Sequence, residues 1–361
     1  MLQTARKSRR AKGFTLLELL VAMIIGSLIV LALLTLVVQL TETNQKDAAR
    51  TQVQQDMQAA MDYVAQDLRS AVFVYNGECL QGKADPTFAK SCPGIVNHIP
   101  AIINDKSKGK FAVLAFWRTK ELPQSIRKLC KDNAPDLASD DAETVKNNIM
   151  TQAKVPCLAG YSYSLVVYSL DSEKSDIWKG KARLERYELS QFPPNPTSAT
   201  NKTLGFVDPL EEPELTFQQW PLKDEGTAGV TNRQAALPTG ESFTLVDFVE
   251  TTTPTAIEPK CQEFGGDEGR DRSLSPTTAS DPLFRSFYAC VRDGGIVTQF
   301  TDPVSGKSIN PPSTNQDVLL VLKGNVTGQS GFAKANDNNE RMSPLQTRVL
   351  VRGIVGKKDE N

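Results

Sequence analysis

Four groups of residues in this chain could do chemistry. Cys79, Cys92, Cys130, Cys157, Cys261 and Cys290 make six cysteines, which allow about fifteen disulfide connectivities. Sequential pairing (Cys79–Cys92, Cys130–Cys157, Cys261–Cys290) closes compact loops, each bridge contributing about 2–4 kcal/mol through the unfolded state. Free thiols are the alternative. A metal site would need close spacing such as Cys-x-x-Cys, which is absent, so neither a metal nor another cofactor is expected. His98 is the single histidine, with no acid or nucleophile near it in sequence, and reads as a hydrogen-bonded structural residue. That leaves little room for a His-based triad or a multi-histidine metal centre. The stretch Gly265-Gly266-Asp267-Glu268, with Asp271 nearby, clusters carboxylates of the kind that hold Ca²⁺. Its spacing does not match an EF-hand, and a polar surface loop is the plainer reading. No nucleophile, base and oxyanion site can be assembled, so the chain is expected not to be an enzyme.

The fourth group is at the front. Glu18 sits inside an apolar stretch, flanked by Phe14–Leu17 and Leu19–Leu20, directly after Gly13. A carboxylate at membrane depth is unfavourable by about 2.5–3.5 kcal/mol on insertion scales, less near an interface, and normally has a partner.

The element that carries Glu18 is legible from charge. Residues 1–13 hold five basic residues (Arg6, Lys7, Arg9, Arg10, Lys12) and no acidic one, against a whole-chain net charge of −1. From Leu19 to Thr41 there is no charge, and the polar side chains are Ser27, Thr35, Gln39 and Thr41. As a helix this run is roughly 35 Å long, enough to cross a hydrocarbon core of about 30 Å. The basic cluster keeps its own side cytoplasmic and leaves the rest of the chain on the far side. A cleaved secretory signal fits poorly, because the run is too long and no small-x-small site follows it. A balanced net charge also provides no polyanion-binding surface, so no nucleic acid is expected.

Lys12-Gly13-Phe14-Thr15-Leu16-Leu17-Glu18-Leu19-Leu20-Val21 resembles the type III signal of type IV pilins and pseudopilins. The resemblance implies a membrane-embedded prepilin peptidase that cuts after Gly13 on the cytoplasmic side and N-methylates Phe14. Glu18 becomes the fifth residue of the mature chain and the subunit-docking residue. Cleavage removes all five basic residues and creates an ammonium on Phe14, a partner for the Glu18 carboxylate of a neighbouring subunit. The GGDE stretch also resembles the turn of diguanylate cyclases, but Gly269 follows it where that family has Phe.

Residues 14–76 contain no proline and one glycine, Gly26. Beyond the apolar run, Val53, Met57, Ala60/Met61, Val64, Leu68 and Ala71/Val72 recur at three- and four-residue steps. One helix from about Phe14 to about Phe73 is predicted, its second half laid on a globular domain. A homomeric coiled coil is disfavoured, since the stripe lasts fewer than three heptads. β-Prone runs follow at Phe111–Trp117, Tyr161–Leu170, Ala182–Leu189, Phe243–Thr251, Ser286–Arg292, Ile296–Phe300, Asp317–Leu322 and Gln346–Val355. Tyr161–Leu170 and Ala182–Leu189 read as a hairpin. Fourteen of the 21 prolines fall between Pro193 and Pro312, marking loops that decorate the sheet.

The predicted fold class is α+β and pilin-like: a long N-terminal transmembrane and amphipathic helix packed on an antiparallel β-sheet domain with loop-rich insertions. The expected divisions are a leader over 1–13, a membrane and filament-core helix over 14–41, an amphipathic helix over 42–75 and an extracytoplasmic head over 76–361, with a loop-rich insert at about 190–316. Gln54–Val72 is similar to the helix exit of the larger minor pseudopilins, the J-type of type II secretion and the W-type of type IV pili. Leu345–Ile354 is similar to their last strand. Size and the cysteine-rich start of the head resemble the hormogonium polysaccharide secretion pseudopilins. The resemblance implies a minor pseudopilin, with prepilin peptidase, other major and minor pseudopilins and an inner-membrane assembly platform as partners. Polysaccharide export and gliding motility rank first as the process served. A motility pilus, a type II secretion system and a pilin-anchored adhesin are the alternatives. The bulk of the head suggests a low-copy, tip-proximal subunit.

Overall fold

A computed structural model describes residue 13 and residues 15–82, 92–134, 138, 140–141, 143–144, 148–211, 215–225, 229–239, 241–251, 261, 272–277, 286–292, 300–301, 308–309, 316–332 and 340–351. The first element is α1, Leu16–Arg69, one helix of 54 residues. Its first buried residue is Ala49; from there Val53, Met57, Ala60, Met61, Val64 and Leu68 bury one stripe, as their spacing predicts. The helix stops four residues sooner than expected. Ser70 caps it, its N–H and hydroxyl both donating to the Asp67 carbonyl. The next residues, Ala71–Val74, form strand β1. The reason is composition and pairing: the β-prone residues Val72, Phe73 and Val74 favour a strand that pairs with residues 116–118, and a bulge between Ala71 and Phe73 lets Ala71 and Val74 face one core while Val72 and Phe73 face another.

After β1 come a short helix α2 (Gly77–Gln81), β2 (Lys110–Glu121), helices α3 (Gln124–Asp132) and α4 (Ile149–Gln152), β3 (Tyr161–Asp171) and β4 (Ala182–Ser190). Next are the small strands β5 (Leu222–Asp224) and β6 (Val230–Asn232), then β7 (Glu241–Val249), β8 (Arg272–Ser275) and β9 (Phe287–Arg292). The pair β10 (Phe300–Thr301) and β11 (Ser308–Ile309), then β12 (Gln316–Leu322) and β13 (Leu345–Val351), complete the series. One antiparallel sheet has the order β1-β2-β3-β4-β7 and a second the order β13-β12-β9-β8. The α+β architecture is consistent with a pilin-like fold. The β3–β4 hairpin forms with Asp171 opposite Arg183 and Ser164 opposite Ser190. The range 190–316 is not loop alone, because β7, β8 and β9 within it belong to the two sheets. Of the run Ile296–Phe300, residues 296–299 lie outside the described residues, as do 352–355 of the last run.

Both sheets close on α1. Its stripe shares one core with Val113, Phe116, Val166 and Leu184 of the first sheet and with Phe287, Leu320 and Val349 of the second. At about 1.5–3 kcal/mol per fully buried large apolar side chain, this wrap holds the second half of the helix. The opposite face of the first sheet carries a further core, where Trp117 meets Trp220 edge-on with ring centroids 5.3 Å apart. Gln316 ties the sheets together, its side-chain amide accepting from the Val74 N–H and donating to the Val74 carbonyl, both at 2.7 Å.

A buried ionic cluster locks the end of α1 to the first sheet. Asp67 is in the last helical turn, where a carboxylate opposes the helix dipole, so it needs cationic partners. Arg118 on β2 donates to Asp67 Oδ1 at 2.9 Å, while Arg186 on β4 and the Tyr168 hydroxyl on β3 donate to Oδ2 at 2.7 Å each. The same two arginines donate to Glu188, at 3.0 and 2.8 Å, and Lys120 lies 3.0 Å from it. Burial opposes ionisation of Glu188, but Arg118, Arg186 and Lys120 outweigh it and hold the carboxyl down at about 2. A group that titrates lower when folded than its ordinary value of 4.5 stabilises fully above that value and stops doing so as pH falls through about 2. Glu188→Gln is therefore expected to flatten the acid limb of the stability curve between those limits. Denaturant titrations at stepped pH should show that roughly 3 kcal/mol of pH-dependent stability has gone. An unchanged acid limb would count against this assignment.

Candidate processing and assembly site at the head of the helix

Gly13 lies just before α1, exposed, and a Cβ built on it meets nothing within 4 Å. Phe14 and the basic leader over 1–12 lie outside the described residues. Thr15 is the N-cap, and it forms a reciprocal capping box with Glu18. The Thr15 N–H donates to Glu18 Oε2 at 2.9 Å, the Thr15 hydroxyl donates to the same oxygen at 3.2 Å, and the Glu18 N–H donates to Thr15 Oγ1 at 3.3 Å. The carboxylate thus sits on the positive end of its own helix dipole and collects two hydrogen bonds there. Thr15 is a site residue that the sequence reading passed over. Its signal was present as Thr-x-x-Glu ahead of an apolar run.

From Leu16 to Lys46 every residue of α1 is exposed, Leu16 by 87% and Leu17 by 72%. The bare part of the helix, up to Ala49, is roughly 50 Å long. It is long and apolar enough to cross a membrane. Such a surface requires lipid or other helices around it. The hydroxyl side chains in the run are satisfied within the helix: Ser27 donates to the Ile24 carbonyl, Thr35 to that of Ala32 and Thr41 to that of Val37, each at 2.8 Å. That is the pattern a non-aqueous environment demands.

The remaining candidate residues lie in the head. Cys79 is bridged to Cys92, Cys130 to Cys157 and Cys261 to Cys290, with Cα separations of 4.5, 5.5 and 5.5 Å. These staple α2 to the loop before β2, α3 to the approach to β3, and the residue ahead of β8 to β9. His98 Nδ1 is 3.2 Å from Gln234 Oε1, and Gln234 Nε2 donates back to the His98 carbonyl at 3.2 Å. Burial pushes the imidazole pKa down, with the Gln234 contact opposing, so the ring is held neutral in a structural bond. Gly265–Glu268 and Asp271 lie outside the described residues. Among the described residues no three His, Cys, Asp or Glu side chains are grouped to hold a metal ion.

A bare apolar helix with one carboxylate at its capped start, and a two-sheet head closed on its second half, is an arrangement consistent with a pilin-like fold. The family model for the prokaryotic N-terminal methylation motif matches residues 8–34. That motif supports a type IV pilin-like protein with a single N-terminal membrane helix and a C-terminal domain. It implies processing by a prepilin peptidase and assembly with other pilins in a membrane-associated system. No curated protein and no solved structure matches the chain.

Proposed function

We propose that this chain is a minor pseudopilin, made as a prepilin, cut between Gly13 and Phe14, methylated on Phe14 and drawn from the inner membrane into a filament. The observation that carries the reading is the bare helix headed by Thr15 and Glu18, within the stretch that matches the methylation motif. In the membrane the capping box keeps the Glu18 carboxylate partly compensated until a neighbour's Phe14 ammonium arrives. Docking then replaces local hydrogen bonds by an ion pair in a low-dielectric core, where such a pair is strong if well placed.

The divisions that serve this reading are the leader over 1–13, the membrane and filament helix over 14–41, its continuation over 42–75 and the head over 76–361. Disulfides in the head suit an oxidising compartment outside the inner membrane. We favour a low-copy, tip-proximal place in a filament for polysaccharide export and gliding motility. A type II secretion pseudopilus or a motility pilus is the second reading. A deletion strain scored separately for slime export, protein secretion and twitching decides between them.

The docking step has its own test. Glu18→Gln is expected to reduce incorporation into sheared filaments at least tenfold while leaving cleavage after Gly13 intact, since the charge serves docking and not presentation of the scissile bond. Thr15→Val, which keeps the β-branched shape and removes the cap, takes about 1 kcal/mol of stabilisation from the undocked state alone, so it should leave incorporation undiminished or raise it by a few-fold. Quantitative mass spectrometry of sheared filaments reads both. Wild-type incorporation of Glu18→Gln would overturn the docking role.

A further inference from the structure

A groove of about 640 Å³, open to solvent, runs between α1 and β7. Its walls are Asp56 and Tyr63 from the helix, Thr244 and Asp247 from the strand, and Trp178 and Lys179 from the β3–β4 loop. Trp178 is 37% exposed and Tyr63 40%, whereas Trp117 and Trp220 are fully buried. Two aromatic side chains distant in sequence are thus brought to one solvent-facing cleft.

The loop that carries the indole is pinned at its backbone. Asp247 Oδ2 accepts from the N–H groups of Lys179 and Gly180, at 3.0 and 2.9 Å, and pins the loop to β7. Ser175 Oγ accepts from the N–H of Ile177 at 3.2 Å and turns the loop just before Trp178. Two glycines permit the close fit: a Cβ on Gly180 would lie 2.4 Å from Asp247 Oδ1, and one on Gly328 would lie 2.4 Å from the Lys179 carbonyl oxygen. A half-exposed tryptophan on a pinned loop spares a ligand that stacks on it the cost of ordering the backbone beneath.

We propose that this groove binds a neutral glycan chain. A pyranose presents an apolar C–H face and a rim of hydroxyls. The groove answers with aromatic surface from Trp178 and Tyr63, and with the Asp56 carboxylate and Thr244 hydroxyl as hydroxyl partners. The volume suits about two or three rings, and an open cleft lets a longer chain run through it. Charge selects against acidic sugars: among the described lining residues Asp56 and Asp247 outnumber the one cation, Lys179, whose ammonium donates to the Asp176 carbonyl at 2.6 Å, and the Arg186 guanidinium against the Tyr63 ring is paired with Asp67 and Glu188. An added peptide strand is the weaker occupant. The edge of β7 is closed at its C-terminal end, where Asn325 N–H donates to the Phe248 carbonyl and Glu250 N–H to that of Lys323. Edge pairing of that kind also makes no use of an exposed indole. This inference rests on the groove alone, so it and the filament reading can fail separately.

The test uses the full-length protein in detergent micelles, with cellohexaose, laminarihexaose, maltohexaose, mannohexaose and xylohexaose as neutral probes and hexagalacturonate as the acidic one. Trp178 is the one tryptophan of the three that acrylamide can reach, so its quenching isolates the groove. At least one neutral hexasaccharide is expected to shield it and to bind in calorimetry. Trp178→Ala should weaken that binding tenfold or more, Trp178→Phe about threefold, and Asp56→Ala several-fold, with near-ultraviolet circular dichroism showing the head intact. Binding by none of the neutral probes, binding only by hexagalacturonate, or undiminished binding to Trp178→Ala overturns the proposal. So does shielding of Trp178 by other filament subunits without a saccharide response, which would make the groove a subunit interface.

Discussion

Gly13→Leu is expected to leave the chain in the membrane as the uncut precursor, with cleavage slowed on the order of a hundredfold, the scale that misplacing a scissile bond by about an ångström produces. The structure separates this from a folding defect. A Cβ on Gly13 meets nothing within 4 Å, so the head and helix should be unaltered. The retained leader would also keep five basic residues on the cytoplasmic side and leave no ammonium at residue 14 for a neighbour's Glu18. Intact-mass measurement and N-terminal sequencing of membrane and filament fractions check the result. Wild-type chains should begin at Phe14 and carry one methyl group; Gly13→Leu chains should begin at Met1. Efficient release of Phe14 from the variant would remove the basis for the whole processing scheme.

The second large effect belongs to the other end of the helix. Asp67→Ala takes one carboxylate from between Arg118, Arg186 and Tyr168 and leaves the buried Arg186 and the partly buried Arg118 sharing Glu188 alone. Removing one partner of a buried charge cluster costs about 3–5 kcal/mol, because the charge that remains keeps its desolvation penalty. For a head of this size the melting temperature should fall by roughly 10 °C. Asp62→Ala, an exposed carboxylate in the same helix, is the matched control and should change stability by less than about 0.5 kcal/mol. Equal effects at the two positions would show that apolar packing alone holds α1 and that the cluster is incidental. The expected failure is detachment of the helix from the sheet.

Much of this was legible from residue order. The apolar run from Leu19 to Thr41, the carboxylate of Glu18 and the three- and four-residue stripe from Val53 to Leu68 are local patterns, and a helix needs nothing else to declare itself. The β3–β4 hairpin was legible for the same reason, since its strands adjoin in sequence. Even the Thr15–Glu18 cap was written in a four-residue motif, though only geometry drew attention to it. Other features depended on residues far apart in the chain. Helix α1 ends at Arg69 because the next four residues are claimed by two cores on opposite faces of a sheet. The division into two sheets, with β12 linked to β1 through Gln316, joins residues separated by more than two hundred positions. Asp67 was one polar residue among several along a helix until β2, β3 and β4 placed Arg118, Tyr168 and Arg186 around it. Trp178 and Tyr63, unrelated in sequence, share a groove because Asp247 pins one loop beside one helix face. Periodicity and composition act over a few residues and so determine elements and the membrane segment. Buried charge clusters and grooves arise where distant elements meet, and the packing of the folded chain decides them.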